Sequence, residues 1–267
     1  MNERSSDLKS WVLITGASHG IGEVFAKRFA REGWNLILVA RSRDRLNELA
    51  ETLGKEYSAN TFVIPIDLTD QSTPRKVYEE VKRKGILVDG LVNNAGFGGG
   101  GKFAESDLNR YLQMIDLNIR ALVEFTYFFI QEMIERKHGL IINVSSTAAY
   151  QPLPYSAIYA ATKSFVASFT EALWLETGGT GVRVLNLCPG LTKTNFGVAA
   201  GLRDFKEDPF AQEPEAVVES AFRALQRNTP TVISGFRNQL LIFLERLLPH
   251  RLRLWVVALF QKSRRKV

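Results

Sequence analysis

The chain has 267 residues, of which 45% are hydrophobic and 23% are charged, and its formal net charge is +6. This length and composition are typical of a globular α/β protein and exclude a disordered chain. A single cysteine, Cys188, excludes an internal disulfide framework.

The first residues of the sequence are not expected to form a signal peptide. Residues 1–10 are polar, and no window reaches the roughly 18 apolar residues that a spanning helix needs. We therefore expect a soluble, cytoplasmic protein. The last residues contain a basic run formed by Lys262, Arg264, Arg265 and Lys266. This run is interpreted either as a solvated tail or as a contact with an anionic membrane surface, and no nucleic-acid partner is expected because no such motif accompanies it.

Short apolar runs alternate with helical patterns from the start of the chain. The predicted strands are Trp11–Thr15, Asn35–Ala40, 61–66, 90–93, 140–144, 182–187 and Thr231–Ile233, and the predicted helices are 21–32, 43–56, 73–84, 107–137, 156–177 and 214–227. This alternation indicates parallel strands joined by right-handed crossovers. The predicted fold class is α/β, a single-domain Rossmann-type doubly wound parallel sheet of about seven strands with helices on both faces.

We assign residues 1–237 to this domain, with the cofactor and substrate sites together in it. Residues 238–267 form a C-terminal amphipathic and basic extension, divided by Pro249. Its apolar stripe is expected to pack on its own domain or a partner subunit, or to lie as an amphipathic helix on a membrane.

A glycine cluster lies between the first predicted strand and the first predicted helix. It reads Thr15-Gly16-Ala17-Ser18-His19-Gly20-Ile21-Gly22. Glycine permits a sharp turn and a close approach of the backbone to a pyrophosphate, and the helix that follows presents free N–H groups to phosphates. A plain tight turn is the alternative. In this context the pattern predicts a dinucleotide site, and its residues are Gly16, Ser18, His19, Gly20, Ile21 and Gly22.

The end of the second strand distinguishes the two common dinucleotides. An NAD site usually ends this strand with an acid bonded to the ribose 2′-hydroxyl, whereas here the chain continues as Val39-Ala40-Arg41-Ser42. An arginine binds a 2′-phosphate in bidentate fashion. The sequence therefore predicts NADPH, with Arg41 on the 2′-phosphate and His19 as a second donor, although Arg41 as a solvated loop charge is the alternative.

Two further strand ends carry residues suited to the cofactor. Asp67 and Leu68 follow the third strand, where a carboxylate is placed to accept from the adenine amino group. The fourth strand ends in Asn93-Asn94-Ala95-Gly96. We expect Asn94, Ala95 and Gly96 to lie close to the cofactor, while for Asn93 a structural role and a cofactor contact stay open.

The residues suited to proton transfer lie between 140 and 163. Tyr159 and Lys163 are four residues apart on a predicted helix, so both project from one face. A lysine beside a phenol favours the phenolate and is expected to lower the tyrosine pKa toward working pH. Ser146 follows a strand and can bond a substrate oxygen while Tyr159 exchanges its proton. This set predicts an alcohol–ketone couple.

Together these motifs, with Pro189-Gly190, give the sequence a resemblance to the short-chain dehydrogenase/reductase family over Trp11 to Thr194. The resemblance selects Ser146 over Ser145, since the family's serine precedes its tyrosine by thirteen residues. It implies that Asn118 holds a water linking Lys163 to solvent. It also implies that Pro189, Gly190, Thr192 and Thr194 lie at the nicotinamide, with Tyr159 and Lys163 contacting the cofactor as well.

For the substrate, the resemblance implies a pocket built after the fourth, fifth and sixth strands, with a lid near residues 191–213. The candidate substrate residues are Phe97, Tyr150, Tyr155 and Phe196, within a wider aromatic set that adds Phe103, Leu153, Phe205 and Phe210. These residues favour an apolar ketone or aldehyde, such as a 3-oxoacyl or steroid carbonyl. No metal is expected. The helices at 107–137 and 156–177 would pair across a two-fold axis to give a homodimer or homotetramer.

Two other functions were weighed against a reductase. A non-catalytic NADPH-binding sensor or scaffold has no need of Asn118, Ser146, Tyr159 and Lys163 together. A nucleotide-sugar epimerase or dehydratase is disfavoured by the glycine spacing and by the short C-terminal part.

Overall fold

Seven parallel strands form one sheet at the centre of the molecule. The computed structural model describes residues 9–202 and 204–263, and of His250 and residues 260–263 it describes the backbone alone. The predicted basic tail residues Arg264, Arg265 and Lys266 lie outside these ranges. The strands are β1 (Trp11–Thr15), β2 (Asn35–Ala40), β3 (Thr61–Pro65), β4 (Val88–Asn93), β5 (Gly139–Val144), β6 (Val182–Cys188) and β7 (Thr231–Ile233).

Ten α-helices connect and follow these strands in the described part of the chain. They are α1 (Gly20–Arg31), α2 (Arg43–Tyr57), α3 (Thr73–Arg83), α4 (Leu108–Ile115), α5 (Leu122–Glu135), α6 (Ala157–Glu176), α7 (Phe196–Ala199), α8 (Pro214–Gln226), α9 (Phe236–Leu247) and α10 (His250–Ser263). None of the described helices is long and apolar enough to cross a bilayer.

The strand order is β3-β2-β1-β4-β5-β6-β7. The chain therefore winds outward in one direction from β1 to β3 and in the other direction from β4 to β7. In an open parallel sheet, ligands bind beyond the carboxyl ends of the strands where this direction reverses. Here the reversal lies between β1 and β4, which pair directly.

Both faces of the sheet are buried, because successive side chains of a strand point to opposite faces. In β1, Val12 and Ile14 pack with buried residues of α1, α2 and α8, whereas Leu13 packs with those of α3 and α5. Phe25 and Phe29 are the largest fully buried side chains of the first cluster, and Phe125 and Phe129 of the second. The predicted doubly wound α/β fold is confirmed.

The structure departs from the predicted elements most clearly at 107–137, where one helix was expected. A π-helical segment, Asp116–Ala121, separates α4 from α5. Single π-turns inside α-helices are rare and are frequent at functional sites. The other predicted elements are found with ends shifted by a residue or two, the usual uncertainty of helix and strand limits.

Candidate active site

Three glycines shape the turn between β1 and α1, through their backbone angles and through close contacts that leave no room for a side chain. Gly16 and Gly20 adopt left-handed backbone angles, with φ of +67° and +61°. A Cβ on Gly22 would lie 2.2 Å from the Gly16 carbonyl oxygen, and one on Gly20 would lie 3.0 Å from a Thr194 methyl carbon. The α1 N-terminus has no side-chain cap from His19. The result is a tight backbone turn that leads into an uncapped helix N-terminus, an arrangement that suits phosphate binding.

The end of β4 is fastened to this turn by side-chain hydrogen bonds. Asn94 Nδ2 donates to the carbonyl oxygens of Thr15 (2.9 Å) and Gly16 (3.2 Å). The Thr15 hydroxyl accepts in return from the backbone N–H groups of Asn94 and Ala95, each at 3.0 Å. The predicted cofactor residues of β1 and β4 are thus brought together, and Asn94 holds the turn through its amide.

Positive charge gathers at the tip of β2. Arg41 is 79% exposed, and its Nη1 lies 3.9 Å from an Asp67 carboxylate oxygen. Burial lowers the pKa of the neighbouring His19, and the positive charges of Arg45 and Arg41 lower it further. His19 accordingly favours the neutral imidazole, and its Nδ1 lies 2.9 Å from the Ser18 hydroxyl oxygen.

Sequence reasoning missed Arg45, whose charge acts on His19 more strongly than that of Arg41. The available signal was the spacing of Arg41, Arg43 and Arg45, which places a further arginine in the first turn of α2. Asp67 lies where predicted, beyond β3, and accepts from the backbone N–H and hydroxyl of Thr69, both at 2.9 Å. The Leu68 side chain is buried, so any cofactor contact there involves its backbone.

Asn93 takes part in a polar row that crosses four strands. Asn93 pairs with Asn143, Asn143 with Asn186, and Asn186 with Thr231 in the strand register. Asn93 Nδ2 donates to Asn143 Oδ1 (2.9 Å), and Asn143 Nδ2 donates to the Thr170 hydroxyl of α6 (3.0 Å). The three asparagines are buried. The side chain of Asn93 therefore has a structural role.

The side chains predicted for proton transfer meet beyond the carboxyl end of β5. Lys163 is buried, and its Nζ donates to the Val144 carbonyl oxygen at 2.8 Å and lies 5.9 Å from the centre of the Tyr159 ring. The Ser145 hydroxyl is buried and donates to the Lys163 carbonyl oxygen at 2.7 Å. Ser146 is partly exposed, and its hydroxyl accepts from the Ala148 N–H at 3.1 Å. Of the two serines, Ser146 is thus the one that interacts with the phenol of Tyr159.

The expected lowering of the Tyr159 pKa is not found. Burial raises the pKa of Tyr159 to about 12, and the hydrogen-bonding interaction with Ser146 opposes this only in part. Burial also lowers the pKa of Lys163 to about 8. The sequence showed the neighbouring charge but not the desolvation of both groups, which disfavours phenolate and ammonium alike.

Asn118 lies in the π-helical segment and is locked to the chain after β4. Its Oδ1 accepts from the Phe97 N–H, while its Nδ2 donates to the Phe97 carbonyl and to the Thr162 hydroxyl, each at 3.1 Å. A Cβ on Gly96 would lie 2.9 Å from Asn118 Oδ1 and 3.5 Å from Lys163 Nζ. The predicted residues Gly96, Asn118 and Lys163 are therefore neighbours, around a space that only glycine leaves open.

The segment after β6 approaches the glycine turn from the other side. Thr194 lies against Gly20, since a Cβ on Gly20 would lie 3.0 Å from the Thr194 methyl carbon. Thr192 is buried, and its hydroxyl donates to the Gly190 carbonyl oxygen at 3.0 Å. A Cβ on Gly190 would collide with Asn238 of α9. Pro189 and Gly190 also adjoin the serine loop, since the Pro189 carbonyl accepts from the Thr147 N–H at 2.9 Å.

Two of the aromatic residues predicted for the substrate, Phe196 and Phe97, lie near Tyr159 and Arg110, respectively. The Phe196 ring lies 5.5 Å from the Tyr159 ring, centre to centre. The Arg110 guanidinium lies 5.7 Å from the centre of the Phe97 ring and donates to the Ala199 carbonyl oxygen at 3.0 Å. Beside them opens a cleft of about 360 Å³ whose lining includes Gly99, Gly100, Arg110, Tyr111 and residues 198–201.

The remaining predicted substrate residues are placed differently from one another. The Tyr150 hydroxyl lies 3.5 Å from the Cys188 sulfur, and burial raises its pKa well above the ordinary value. Tyr155 has a left-handed backbone (φ 68°) and its carbonyl accepts from the Gly101 N–H at 2.8 Å, so it fixes the glycine-rich stretch to the start of α6. In the wider aromatic set, Phe205 is buried, whereas Phe103 and Phe210 are more than 60% exposed.

Comparison with known proteins gives matches over most of the chain. A family model described as short chain dehydrogenase matches residues 10–203. Sulfoacetaldehyde reductase 2 of Chromohalobacter salexigens is 41% identical over 187 residues, which cover 69% of this chain and 73% of the relative. The very-long-chain 3-oxoacyl-CoA reductase of Mus musculus is 28% identical over 234 residues, or 84% of this chain and 71% of the relative.

Among solved structures, a short-chain dehydrogenase from Sphingobium yanoikuyae in complex with NADPH has the same fold, with a TM-score of 0.79. It is 32% identical, and the match covers 84% of this chain and 87% of that one.

Proposed function

The chain belongs to the short-chain dehydrogenase family and is an NADP-dependent oxidoreductase, and from this premise we propose that it reduces an apolar ketone or aldehyde, with Tyr159 as the proton donor. One observation carries this proposal: Ser146 interacts with Tyr159, close to the buried Lys163. These residues lie at the same edge of the sheet as the glycine turn.

The residues present suit NADPH. At Gly16, Gly20 and Gly22 a Cβ would meet neighbouring atoms, so glycine is what permits this tight turn. Such a turn would bring the backbone N–H groups close to a pyrophosphate. Arg41, Arg45 and His19 would hold the 2′-phosphate, which a carboxylate at the same place would repel. Asp67 would accept from the adenine amino group, and Thr192 and Thr194 would lie at the carboxamide. When bound, NADPH supplies the hydride.

Tyr159 delivers the proton. A phenol with a pKa near 12 is protonated throughout the neutral range, which suits a general acid for carbonyl reduction. Ser146 orients the carbonyl oxygen beside the phenol. As the proton leaves, the ammonium of Lys163 stabilises the phenolate that forms, because opposite charges attract strongly in a buried site. Lys163 would then pass a proton to the phenolate, which restores the acid form of Tyr159.

Asn118 would connect this site to solvent. By family resemblance it holds a water that lets Lys163 recover a proton. Its side chain is already committed to Phe97 and Thr162. In our proposal the relay therefore uses the backbone that the π-turn exposes beside Gly96, and the Asn118 side chain keeps that backbone in place.

The substrate class rests on the walls beside Tyr159. Phe196 presents aromatic surface there, and Phe97 lies by Arg110, which lines a cleft of about 360 Å³ that has room for a substituent larger than a methyl group. The relative that covers 84% of this chain is named for a long-chain 3-oxoacyl substrate, while the relative with 41% identity is named for a small aldehyde. We propose a lipid-derived carbonyl, such as a 3-oxoacyl or steroid ketone.

We also propose a homodimer or homotetramer. Exposed apolar side chains lie on the helices that would pair across the two-fold axis, and they include Leu108, Leu112, Ile115, Tyr127, Ile134, Phe165 and Leu175. Their burial between copies would remove apolar surface from water.

The test is turnover of NADPH with a panel of ketones, aldehydes and 3-oxoacyl thioesters. Tyr159→Phe is expected to lower kcat by about 10³-fold, near the range of general acid catalysis, with little change in NADPH affinity. Tyr150→Phe is the matched control, since its hydroxyl is directed to Cys188, and it should change kcat only a few-fold.

A sensor or scaffold would behave differently. In that case no compound of the panel would consume NADPH, and Tyr159→Phe would be indistinguishable from the parent. An epimerase would retain tightly bound NAD with no net consumption of cofactor.

A further inference from the structure

The positive charge of the chain is concentrated in its last segment. Residues 236–267 contain eight lysines and arginines and one acid, Glu245, whereas the rest of the chain contains 26 basic and 27 acidic residues. The net charge of +6 therefore comes from this segment alone. The two helices in it, α9 and α10, are called here the C-terminal helix pair.

The same helices expose most of their large apolar side chains. In the described part of the pair, Ile242 and Val257 are buried, but ten others are between 38% and 76% exposed. These ten are Phe236, Leu240, Leu241, Phe243, Leu244, Leu247, Leu252, Leu254, Trp255 and Leu259. Exposed apolar patches of this extent on a soluble domain mark an interaction surface.

The base of the pair is tied to the active-site loops. Asn238 Nδ2 donates to the Ser234 carbonyl (2.7 Å) and to Gln212 Oε1 (3.2 Å), and Asn238 also packs against Gly190. The Arg246 guanidinium lies 5.2 Å from the centre of the Tyr150 ring, in the loop that carries Ser146. The exposed face therefore stands beside the substrate side of the molecule.

Charge decides between the partners that would cover such a face. In a symmetric contact between two copies, this surface of one copy would face the same surface of the other. Two strongly basic surfaces would then meet, with a single acid on each. An anionic bilayer offers the opposite charge together with an apolar layer for tryptophan, phenylalanine and leucine side chains. The mixture of arginine with exposed Trp255 and Phe243 is the composition of helices that lie in a lipid interface.

We propose that the C-terminal helix pair docks the protein on an anionic lipid surface, with the apolar side chains in the interface and the basic ones at the headgroups. Docking does not require catalysis. It would hold the substrate side near the bilayer, and this consequence rests on the proposed reduction of a lipid-derived carbonyl.

The experiment is flotation of the purified full chain with vesicles of phosphatidylcholine, with and without phosphatidylglycerol. We expect the protein to float with the anionic vesicles and not with the neutral ones. Raising the salt from about 0.1 M to about 0.5 M should weaken the association, because screening acts on surface charge.

Two double variants with matched controls separate the contribution of the apolar side chains to vesicle binding from that of the basic side chains. Trp255→Ser with Leu259→Ser and, independently, Arg251→Glu with Lys262→Glu should each lower the bound fraction at least about tenfold. The apolar control is Leu87→Ser, at a residue that is 48% exposed just before β4, outside the helices proposed to pair between copies. The charge control is Arg31→Glu with Arg83→Glu, which changes the net charge equally on α1 and α3. Both controls should float like the parent.

Thermal unfolding and NADPH affinity, measured on every variant, exclude misfolding as the cause of lost binding. The proposal is overturned if the parent does not float with anionic vesicles, or if the charge control loses binding as much as the Arg251 and Lys262 variant. If the parent does not float and the Trp255 and Leu259 variant dissociates an oligomer in sedimentation, the face is a contact between copies. Turnover is measured separately, so an inactive protein that floats would overturn the reductase and leave docking intact.

Discussion

The glycine turn at residues 15–22 and the segment at residues 191–213, which we propose as the lid, meet where Thr194 lies against Gly20, but different forces fix them. In the turn, backbone approaches backbone so closely that a Cβ on Gly22 would lie 2.2 Å from a carbonyl oxygen. In the lid, a Cβ on Gly201 would meet nothing within 4 Å, and Val198 is 53% exposed. The cofactor side is therefore specified by backbone packing, whereas the lid side has room for substitution and movement.

Replacing one glycine on each side tests this contrast and gives the largest expected effect. Gly22→Ala should weaken NADPH binding more than about 100-fold and lower the free energy of unfolding by about 3 kcal/mol or more, because the backbone must move. Gly201→Ala should cost only about 1 kcal/mol, from its left-handed backbone. The measurements are NADPH titration and chemical denaturation.

Gly54→Ala in α2 is the control for adding a methyl group inside a helix. Its Cβ would come no nearer than 4.0 Å to another atom, so we expect a gain of about 0.5–1 kcal/mol. Equal losses at Gly22 and Gly201 would remove the difference between the two sides.

Lys163 gives a pH-dependent test on the catalytic side. Its pKa is about 8 in the folded protein and 10.5 in the unfolded chain. Between these values the unfolded chain binds more protons, so this residue makes the free energy of unfolding rise with pH, by up to about 3 kcal/mol. The cofactor-free parent should show this rise, starting near pH 8, relative to Lys163→Met.

The measurement is denaturation of both proteins at several values between pH 7 and about 10, below the raised pKa of Tyr159. Lys82→Met, at a half-exposed residue of α3, is the control. A parent and a Lys163→Met variant with parallel pH profiles would mean that the buried lysine is not desolvated as the structure indicates.

The sequence predicted features that depend on local patterns better than features that depend on contacts between distant residues. Continuous apolar runs located β1, β2 and β7 to the residue, and glycine spacing located the turn, because both are local patterns. The π-turn at Asp116–Ala121 accompanies hydrogen bonds from Asn118 to Phe97 and Thr162, which are distant in sequence, and one unbroken helix was predicted there.

Electrostatic contacts and burial were also difficult to predict from the sequence. The residue that follows β2 in the sequence indicated Arg41 but not Arg45, which comes near His19 only through the first turn of α2. Likewise, the sequence showed that Lys163 neighbours Tyr159 but not that the phenol of Tyr159 is desolvated. The predicted direction of the Tyr159 pKa shift was therefore wrong. The substrate residues were hardest to predict, since aromatic residues serve cores and surfaces as readily as pockets.

Arginine substitutions on the cofactor side should give a smaller and more selective effect. Arg41→Asp and Arg45→Asp are each expected to weaken the binding of NADPH at least about tenfold and the binding of NADH much less, because a carboxylate repels the 2′-phosphate. Arg43→Asp lies between them in sequence but does not contribute to the shift at His19, and it should change the two affinities little. Equal losses for NADPH and NADH at Arg41 would refute the 2′-phosphate assignment.

The smallest effect is expected on the substrate side, where Phe196 packs on Tyr159 from the start of the lid segment. Phe196→Ala should raise KM for bulky apolar ketones several-fold and for small aldehydes hardly at all, since one lost aromatic contact weakens binding only modestly. NADPH affinity should not change. Phe210→Ala is the control, because that ring is 69% exposed beneath Arg237. If instead Phe196→Ala weakened NADPH as strongly as Gly22→Ala does, the lid would be part of the cofactor site, and the two sides would not be independent.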